Sequence, residues 1–247
     1  MKKIIPLLFV LTILFACSKN TTVPTETPEV KMEKADKLFK ARKYARAYPL
    51  YQQVVFERNS AIAADAQMKL AESYFKLHKF AEAVVEYEQL IKLFPDYQGI
   101  NLAYYQIGVC YMELSPNPQY TQEDTQKAIE AFQVFIDKFP NDPLRSKALD
   151  SLQKAQYKLL EKEYYNGYIY YKMADYSAAL MYFNGIIDLA NKDRLERMSL
   201  YYSAKIYIFR KNWLQAKQTF ETLNRDFPDS KETRKIKSRL QHKKQLN

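Results

Sequence analysis

Histidine, cysteine and glycine are scarce in this chain of 247 residues, which has two histidines, two cysteines and four glycines. A typical zinc site needs several closely spaced histidine or cysteine ligands, and a phosphate-binding loop needs clustered glycines. Neither pattern occurs in the sequence, and no serine-centred nucleophile motif is present. The sequence therefore predicts a binding protein that is not an enzyme, with no cofactor and no metal.

The few reactive residues are also poorly placed for catalysis. Cys110 is alone in the body of the chain, so it cannot form a disulfide within it. It stands between Tyr105 and Met112 on a predicted helix, and we interpret it as a small buried apolar residue. His78 ends a predicted helix and His242 lies in the terminal tail, so neither suggests a catalytic pair with the thiol.

Five alanines mark a pattern that repeats along the chain: Ala47, Ala83, Ala128, Ala179 and Ala216. An aromatic residue follows each alanine after four positions: Tyr51, Tyr87, Phe132, Phe183 and Phe220. A small residue precedes four of the alanines by twelve positions: Ala35, Ala71, Gly167 and Ala204. A proline follows three of them after twelve positions: Pro95, Pro140 and Pro228.

This pattern predicts a helix-turn-helix unit of about 34 residues, in which small residues let two helices approach closely and proline ends the second helix. The offsets resemble the tetratricopeptide repeat. Because one unit cannot bury its apolar face alone, five units must stack into an all-α solenoid. The predicted units cover residues 31–59, 62–96, 99–141, 144–191 and 195–229 of a domain at 31–247.

The units are unequal in length, since successive marker alanines are 36, 45, 51 and 37 residues apart. The third unit holds eight extra residues in the segment Ser115 to Asp124, whose prolines and polar residues predict a loop. The next excess keeps helical periodicity. It predicts one long helix, from about Leu144 to Lys172, that opens the fourth unit.

The first residues indicate export. Two lysines precede an apolar run, Ile4 to Ala16, that is too short to span a bilayer and fits a signal peptide over 1–16. The motif Leu14-Phe15-Ala16-Cys17 resembles the bacterial lipobox, which implies cleavage before Cys17 and a lipid anchor on its thiol. The alternative is an ordinary cleaved signal followed by a coincidental cysteine. The polar stretch 17–30 predicts a flexible tether.

The net charge of +10 is concentrated near the end of the chain. The segment Lys231 to Asn247 carries seven lysines and arginines against Glu232, so the repeats are nearly neutral. We predict a short basic helix over 231–244 that caps the solenoid or meets anionic head groups or an acidic partner. An exported lipoprotein rarely meets nucleic acid, which we do not expect as a partner.

The repeats, the unequal unit lengths and the lipobox together resemble the BamD family of outer-membrane assembly lipoproteins. The likeness is closest from Thr125 and Gln126 through Lys138-Phe139-Pro140-Asn141, the long helix and the stretch Tyr176-Ser177-Ala178-Ala179. The resemblance implies a scaffold on the periplasmic face of the outer membrane, because Ser18 replaces the aspartate that retains some lipoproteins at the inner membrane.

The same resemblance implies two kinds of partner. Members of the family bind BamA, an outer-membrane barrel with periplasmic domains, through their C-terminal repeats, and unfolded barrel proteins through their N-terminal repeats. An arginine that supports the BamA contact in proteobacterial relatives aligns here with Tyr182.

Solenoid geometry predicts which residues could hold a peptide, since the first helix of each unit lines the concave face. Counting from the small marker residues, we predict a groove formed by Met32, Phe39, Lys40, Met68, Phe75, Lys76, Tyr105 and Met112. The phenylalanines could stack on apolar side chains and the lysines could pair with a terminal carboxylate. The alternative is that the phenylalanines only fill the packing between units.

Two other functions share this fold. Twenty-one tyrosines are compatible with a glycan-binding lipoprotein of the SusD-like type, although such proteins are usually twice as long and carry larger insertions. A periplasmic tetratricopeptide adaptor for cell-wall machinery would differ only in its partner.

Overall fold

A computed structural model describes residues 26–57 and 61–244. The predicted signal peptide, the lipid-anchor residue Cys17, tether residues 17–25 and the last three residues lie outside this part of the chain. The described residues form the following α-helices: α1 (Pro28–Lys40), α2 (Tyr44–Phe56), α3 (Ala63–Lys76), α4 (Phe80–Leu93), α5 (Ile100–Leu114), α6 (Glu123–Lys138), α7 (Arg145–Lys172), α8 (Tyr176–Ile187), α9 (Arg194–Phe209), α10 (Trp213–Asp226) and α11 (Lys231–Lys244).

Each helix packs mainly against the next one along the chain, which makes five helix pairs from α1 and α2 to α9 and α10. The basic helix α11 packs on α9 and α10 at the end of the array. The predicted fold class is confirmed: an all-α tetratricopeptide solenoid of five units, with a long first helix in the fourth unit and a short basic helix at the C-terminus.

The repeat markers are central to the core. All five marker alanines are fully buried, and so are four of the five aromatics that follow them. At Gly108 and Gly167 the paired helices approach so closely that an added Cβ would lie 2.7 Å from the ring of Phe132 and 2.9 Å from the ring of Phe183, respectively. The small marker residue thus leaves the space that the aromatic ring of the second helix fills.

Two boundaries differ from the sequence prediction. Helix α1 begins at Pro28, so the last residues assigned to the tether are helical. Proline is favourable there because the first helical position needs no N–H donor. Helix α6 begins at Glu123 and takes Glu123 and Asp124 from the predicted loop, where their negative charge suits the positive end of the helix dipole.

The turns inside the units use no glycine, although their geometry favours it. After the first helix of units one, two, four and five, one residue adopts a positive φ between 56° and 61°: Arg42, His78, Ala174 and Lys211. A side chain is strained in this left-handed conformation. The surrounding packing therefore holds these turns against a local backbone preference.

We predict that Gly108→Ala destabilises the fold. The added methyl group would meet the fully buried ring of Phe132, and overpacking of this kind costs about 1–3 kcal/mol. This cost exceeds the gain in helix propensity of about 1 kcal/mol. Thermal or urea unfolding should show a lower free energy of unfolding.

The control is Gly185→Ala in α8, where nothing lies within 4 Å of the added Cβ. Only the gain in helix propensity applies there, so this variant should be as stable as the wild type or more stable. Equal stability changes at the two positions would contradict close approach as the role of Gly108.

Candidate peptide-binding surface

The predicted groove residues of unit one lie at the end of the array. Phe39 is half-buried, with its ring centroid 5.1 Å from that of Tyr44 and 6.3 Å from that of Tyr51, both in edge-on contact. The ammonium of Lys69 lies 4.9 Å from the centroid of Phe39. Lys40 is exposed and Met32 is half-buried.

Unit two repeats this arrangement. The ring of Phe75 is half-buried against Phe80 at 5.4 Å, and the ammonium of the exposed Lys76 lies 5.9 Å from the Phe75 centroid. Met68, in contrast, is only 4% exposed and belongs to the core. It offers almost no surface to a ligand, whereas Met32 at the same offset in unit one is half-buried.

Unit three contributes two half-buried residues. The Tyr105 ring lies 5.9 Å from Phe132 and 5.7 Å from Phe135, and Met112 packs against the same cluster. The predicted residues therefore occupy adjacent first helices, α1, α3 and α5. Each aromatic ring has one face or edge in interhelical packing, as the alternative interpretation proposed, and part of its surface remains accessible.

Acidic side chains stand beside these rings. The Tyr51 hydroxyl donates a hydrogen bond to Asp36 Oδ1 at 2.7 Å, and burial together with this carboxylate raises the pKa of Tyr51. Glu72 accepts a hydrogen bond from Lys69 at 2.8 Å. The charge of Lys69, which lies over the unit-one ring of Phe39, is therefore balanced by Glu72 of unit two.

A tyrosine cluster that the sequence analysis did not identify lies on α7 and α9. The Tyr202 ring contacts Tyr168 at 5.4 Å and Tyr171 at 4.8 Å, and its other neighbour Phe183 at 5.8 Å. Applying the groove offsets to Gly167 and Ala204 would have found most of this cluster, because they select the following residues: Tyr164, Tyr168, Tyr171, Lys172, Tyr201, Lys205, Ile208 and Phe209.

Tyr182, the predicted partner contact, lies on α8 and is half-buried. Its ring stacks on Tyr170 with centroids 5.6 Å apart and an interplanar angle of 13°. Its Cβ also forms part of the close approach at Gly167. The side chain thus supports the pairing of α7 with α8, and part of its surface remains accessible.

The two irregular segments of the array contact each other. Lys158 of α7 donates hydrogen bonds from Nζ to the carbonyl oxygen of Ser115 at 2.9 Å and to its Oγ at 2.6 Å. One turn later, Lys162 Nζ donates to the carbonyl oxygen of Gln119 at 3.0 Å, and the Gln119 amide bonds to Tyr165. The long helix therefore fixes the loop of unit three.

The chemistry of the remaining candidates is limited. Cys110 is fully buried, and burial raises the pKa of its thiol to about 12, which keeps it protonated at neutral pH. Among the described residues, no group of three or more His, Cys, Asp or Glu side chains could hold a metal ion. In the same part of the chain, no helix is both long and apolar enough to cross a membrane.

Comparison with protein-family profiles identifies the family to which this solenoid belongs. The profile of the YfiO family, described as outer membrane lipoprotein, matches residues 26–208, which is more than half of the chain. The chain belongs to this family. A tetratricopeptide-repeat profile also matches residues 198–230, which hold α9 and α10. The resemblance to the BamD family of outer-membrane lipoproteins is therefore confirmed.

No curated protein sequence matches the lipoprotein significantly. Solved tetratricopeptide structures are similar at low identity. The TPR2AB domain of yeast Sti1 in a pHSP90 complex is 16% identical, with 87% of this chain and 83% of that chain covered and a TM-score of 0.46. A tetratricopeptide repeat protein from Parabacteroides merdae is 15% identical, with 86% and 73% covered and a TM-score of 0.38.

We predict that Lys158→Met loosens the Ser115–Gln122 segment while the helices remain folded. Methionine keeps most of the side-chain volume of lysine and removes the donors to the Ser115 carbonyl and hydroxyl. Backbone hydrogen exchange over 115–122 should accelerate, as mass spectrometry would show.

Lys154→Met is the matched control, since Lys154 lies one turn earlier on α7 and is exposed. It should leave exchange in the loop unchanged. Equal protection of the loop in both variants would show that Lys158 does not fix it.

Proposed function

We propose that this outer membrane lipoprotein is a non-enzymatic scaffold of the machinery that inserts β-barrel proteins into the outer membrane. The observation that carries the proposal is the family match over 26–208 on a solenoid whose first helices carry half-open aromatic rings. In this proposal a lipid on Cys17 holds the protein at the periplasmic face of the membrane.

In this proposal the two halves of the array have different partners. The C-terminal repeats, including the surface around Tyr182, bind a BamA-like barrel through its periplasmic domains. The N-terminal repeats bind the terminal strand of unfolded barrel proteins. Phe39 and Phe75 stack on apolar side chains of that strand, and the exposed ammonium groups of Lys40 and Lys76 pair with its terminal carboxylate.

The arrangement in units one and two suits a peptide of variable sequence. The half-buried Phe39 and Phe75 sit one unit apart with cations beside them, so they fix two points of an extended chain. Met32 adds a flexible apolar side chain that adapts to different ligands. Such a surface recognises a class of peptides and not one sequence.

The partner is tested by a crosslinked pull-down from intact cells with a tag placed after Asn247. We expect a large outer-membrane barrel with periplasmic repeat domains to be recovered in nearly equal amount, because a stable scaffold subunit travels with its complex. Mass spectrometry with quantification identifies the partners. Recovery of glycan transporters or cell-wall synthases in place of that barrel would contradict the proposal and favour one of the two alternatives.

The peptide surface is tested by a double variant, Phe39→Ala with Phe75→Ala. We expect a fluorescent peptide from the end of a barrel protein to bind about ten-fold more weakly, as the loss of about 1.4 kcal/mol of apolar contact implies. Fluorescence anisotropy measures the affinity, and circular dichroism verifies that helicity and melting temperature are retained.

Phe56→Ala is the control for this experiment, because Phe56 is 87% exposed at the end of α2 and is not one of the predicted groove residues. It should bind the peptide as the wild type does. If the double variant loses helicity, Phe39→Leu with Phe75→Leu keeps the apolar volume and removes the rings. Wild-type affinity in a folded double variant would refute the groove.

A further inference from the structure

We propose that the first-helix face of units four and five is a second binding surface, which takes an extended polypeptide segment with carboxylate side chains among apolar ones. We name it the Tyr–Lys205 surface, defined by Tyr168, Tyr171, Tyr201, Tyr202 and Lys205. The inference concerns a different half of the solenoid from the barrel-strand groove and does not depend on which machinery the protein serves.

The first observation is a cation held over three aromatic rings. The Lys205 ammonium lies 4.9 Å from the Tyr171 centroid, 5.4 Å from that of Tyr201 and 5.2 Å from that of Tyr202. These rings fix the lysine at one point, so less side-chain entropy is lost when a ligand binds it. Lys205 is half-buried, which strengthens its attraction for an anion relative to that of a solvated lysine.

The second observation is that this cation has no ion-pair partner in the described part of the chain. Among the described residues, no carboxylate lies within salt-bridge distance of Lys205. Lys69, which lies over Phe39 in the N-terminal half, is by contrast paired with Glu72 at 2.8 Å. The same type of cation on an aromatic ring is therefore neutralised in one half of the array and available in the other.

The contrast between Lys69 and Lys205 follows the position of their units along the array. The residue directly after the small marker of the first helix is Asp36 in unit one, Glu72 in unit two, Val109 in unit three, Tyr168 in unit four and Lys205 in unit five. The equivalent position thus changes from acidic through uncharged to basic along the array. None of the offset positions of units four and five carries a carboxylate, and Lys172 adds a second exposed cation.

The tyrosines set the rest of the ligand chemistry. Burial and the neighbouring phenol groups raise the pKa of Tyr202 to about 12, so its hydroxyl remains a hydrogen-bond donor at neutral pH. Half-buried rings offer stacking area to apolar and aromatic side chains. Beyond the cluster, Phe209 of α9 is 68% exposed and extends the apolar surface along the same helix.

A peptide fits this chemistry better than a sugar or a lipid surface does. A neutral sugar carries no anion for the Lys205 ammonium, so it would leave this charge unpaired. A planar membrane would not reach rings that are packed between α7 and α9 and only half-exposed. A carboxylate beside an apolar residue satisfies both the ammonium and the rings.

The test uses a fluorescein-labelled peptide in which phenylalanine alternates with aspartate over eight residues, and an otherwise identical peptide with asparagine in place of aspartate. With the full chain, anisotropy should show about five-fold tighter binding of the aspartate peptide, which corresponds to about 1 kcal/mol. Lys205→Gln should abolish this preference, and Lys205→Arg should keep it. Tyr168→Ala should weaken both peptides equally.

Lys217→Gln is the matched control, because it removes the same charge from an exposed position on α10. This variant should keep the full preference for the aspartate peptide. Equal binding of the two peptides, an unchanged preference in Lys205→Gln, or no binding of either peptide at millimolar concentration would overturn the proposal. Binding to vesicles with 30% phosphatidylglycerol, or to an acidic glycan, that depends on Lys205 while the peptides do not bind would overturn it as well.

Discussion

The close approach of two helices across a small residue is the interaction on which this solenoid depends. Gly108 and Gly167 stand opposite the rings of Phe132 and Phe183, respectively. The small residues at the equivalent positions of the other units, and all five marker alanines, are fully buried. Since each ring fills the space that a small residue leaves, the pairing fixes both the separation and the register of the helices. The register in turn decides which side chains reach the face formed by the first helices. Any ligand surface on that face is therefore a consequence of core packing.

This dependence explains why the sequence predicts the core well and the surface less well. The alanine and aromatic markers recur because every unit solves the same packing problem, so counting offsets is sufficient to find them. Met68 and Met32 share one offset, yet Met68 is buried and Met32 is half-open. Their difference arises from the neighbouring unit: α1 is the first described helix, whereas α3 is covered by the helices before it. Periodicity in one unit contains no information on what covers it.

The tyrosine cluster illustrates a different limit. Most of its residues follow from the groove offsets once these are applied to units four and five, so their positions could be predicted, but the offsets do not select Tyr202. The convergence of three rings on one ammonium could not be predicted in this way. It joins α7 to α9 and depends on the side-chain rotamers in the folded protein. The absence of a carboxylate partner among the described residues is likewise a property of the packed array. The sequence locates such residues on a face, and only the fold decides whether a charge there is balanced.

The two length irregularities are best understood together. An eight-residue insertion in a turn would ordinarily leave mobile backbone with unsatisfied polar groups, and α7 is longer than the other first helices of the array. Here the extension supplies what the insertion lacks, since Lys158 and Lys162 satisfy carbonyl oxygens of the loop from 43 residues away. The N-terminal half of α7 meanwhile packs Ala148 and Leu152 into the cluster of Phe132 and Phe135. One helix thus closes the core of unit three, holds its loop and begins unit four. A shortened loop would leave these lysines without their carbonyl partners, and a shortened helix would release the loop, so the two irregularities are structurally coupled.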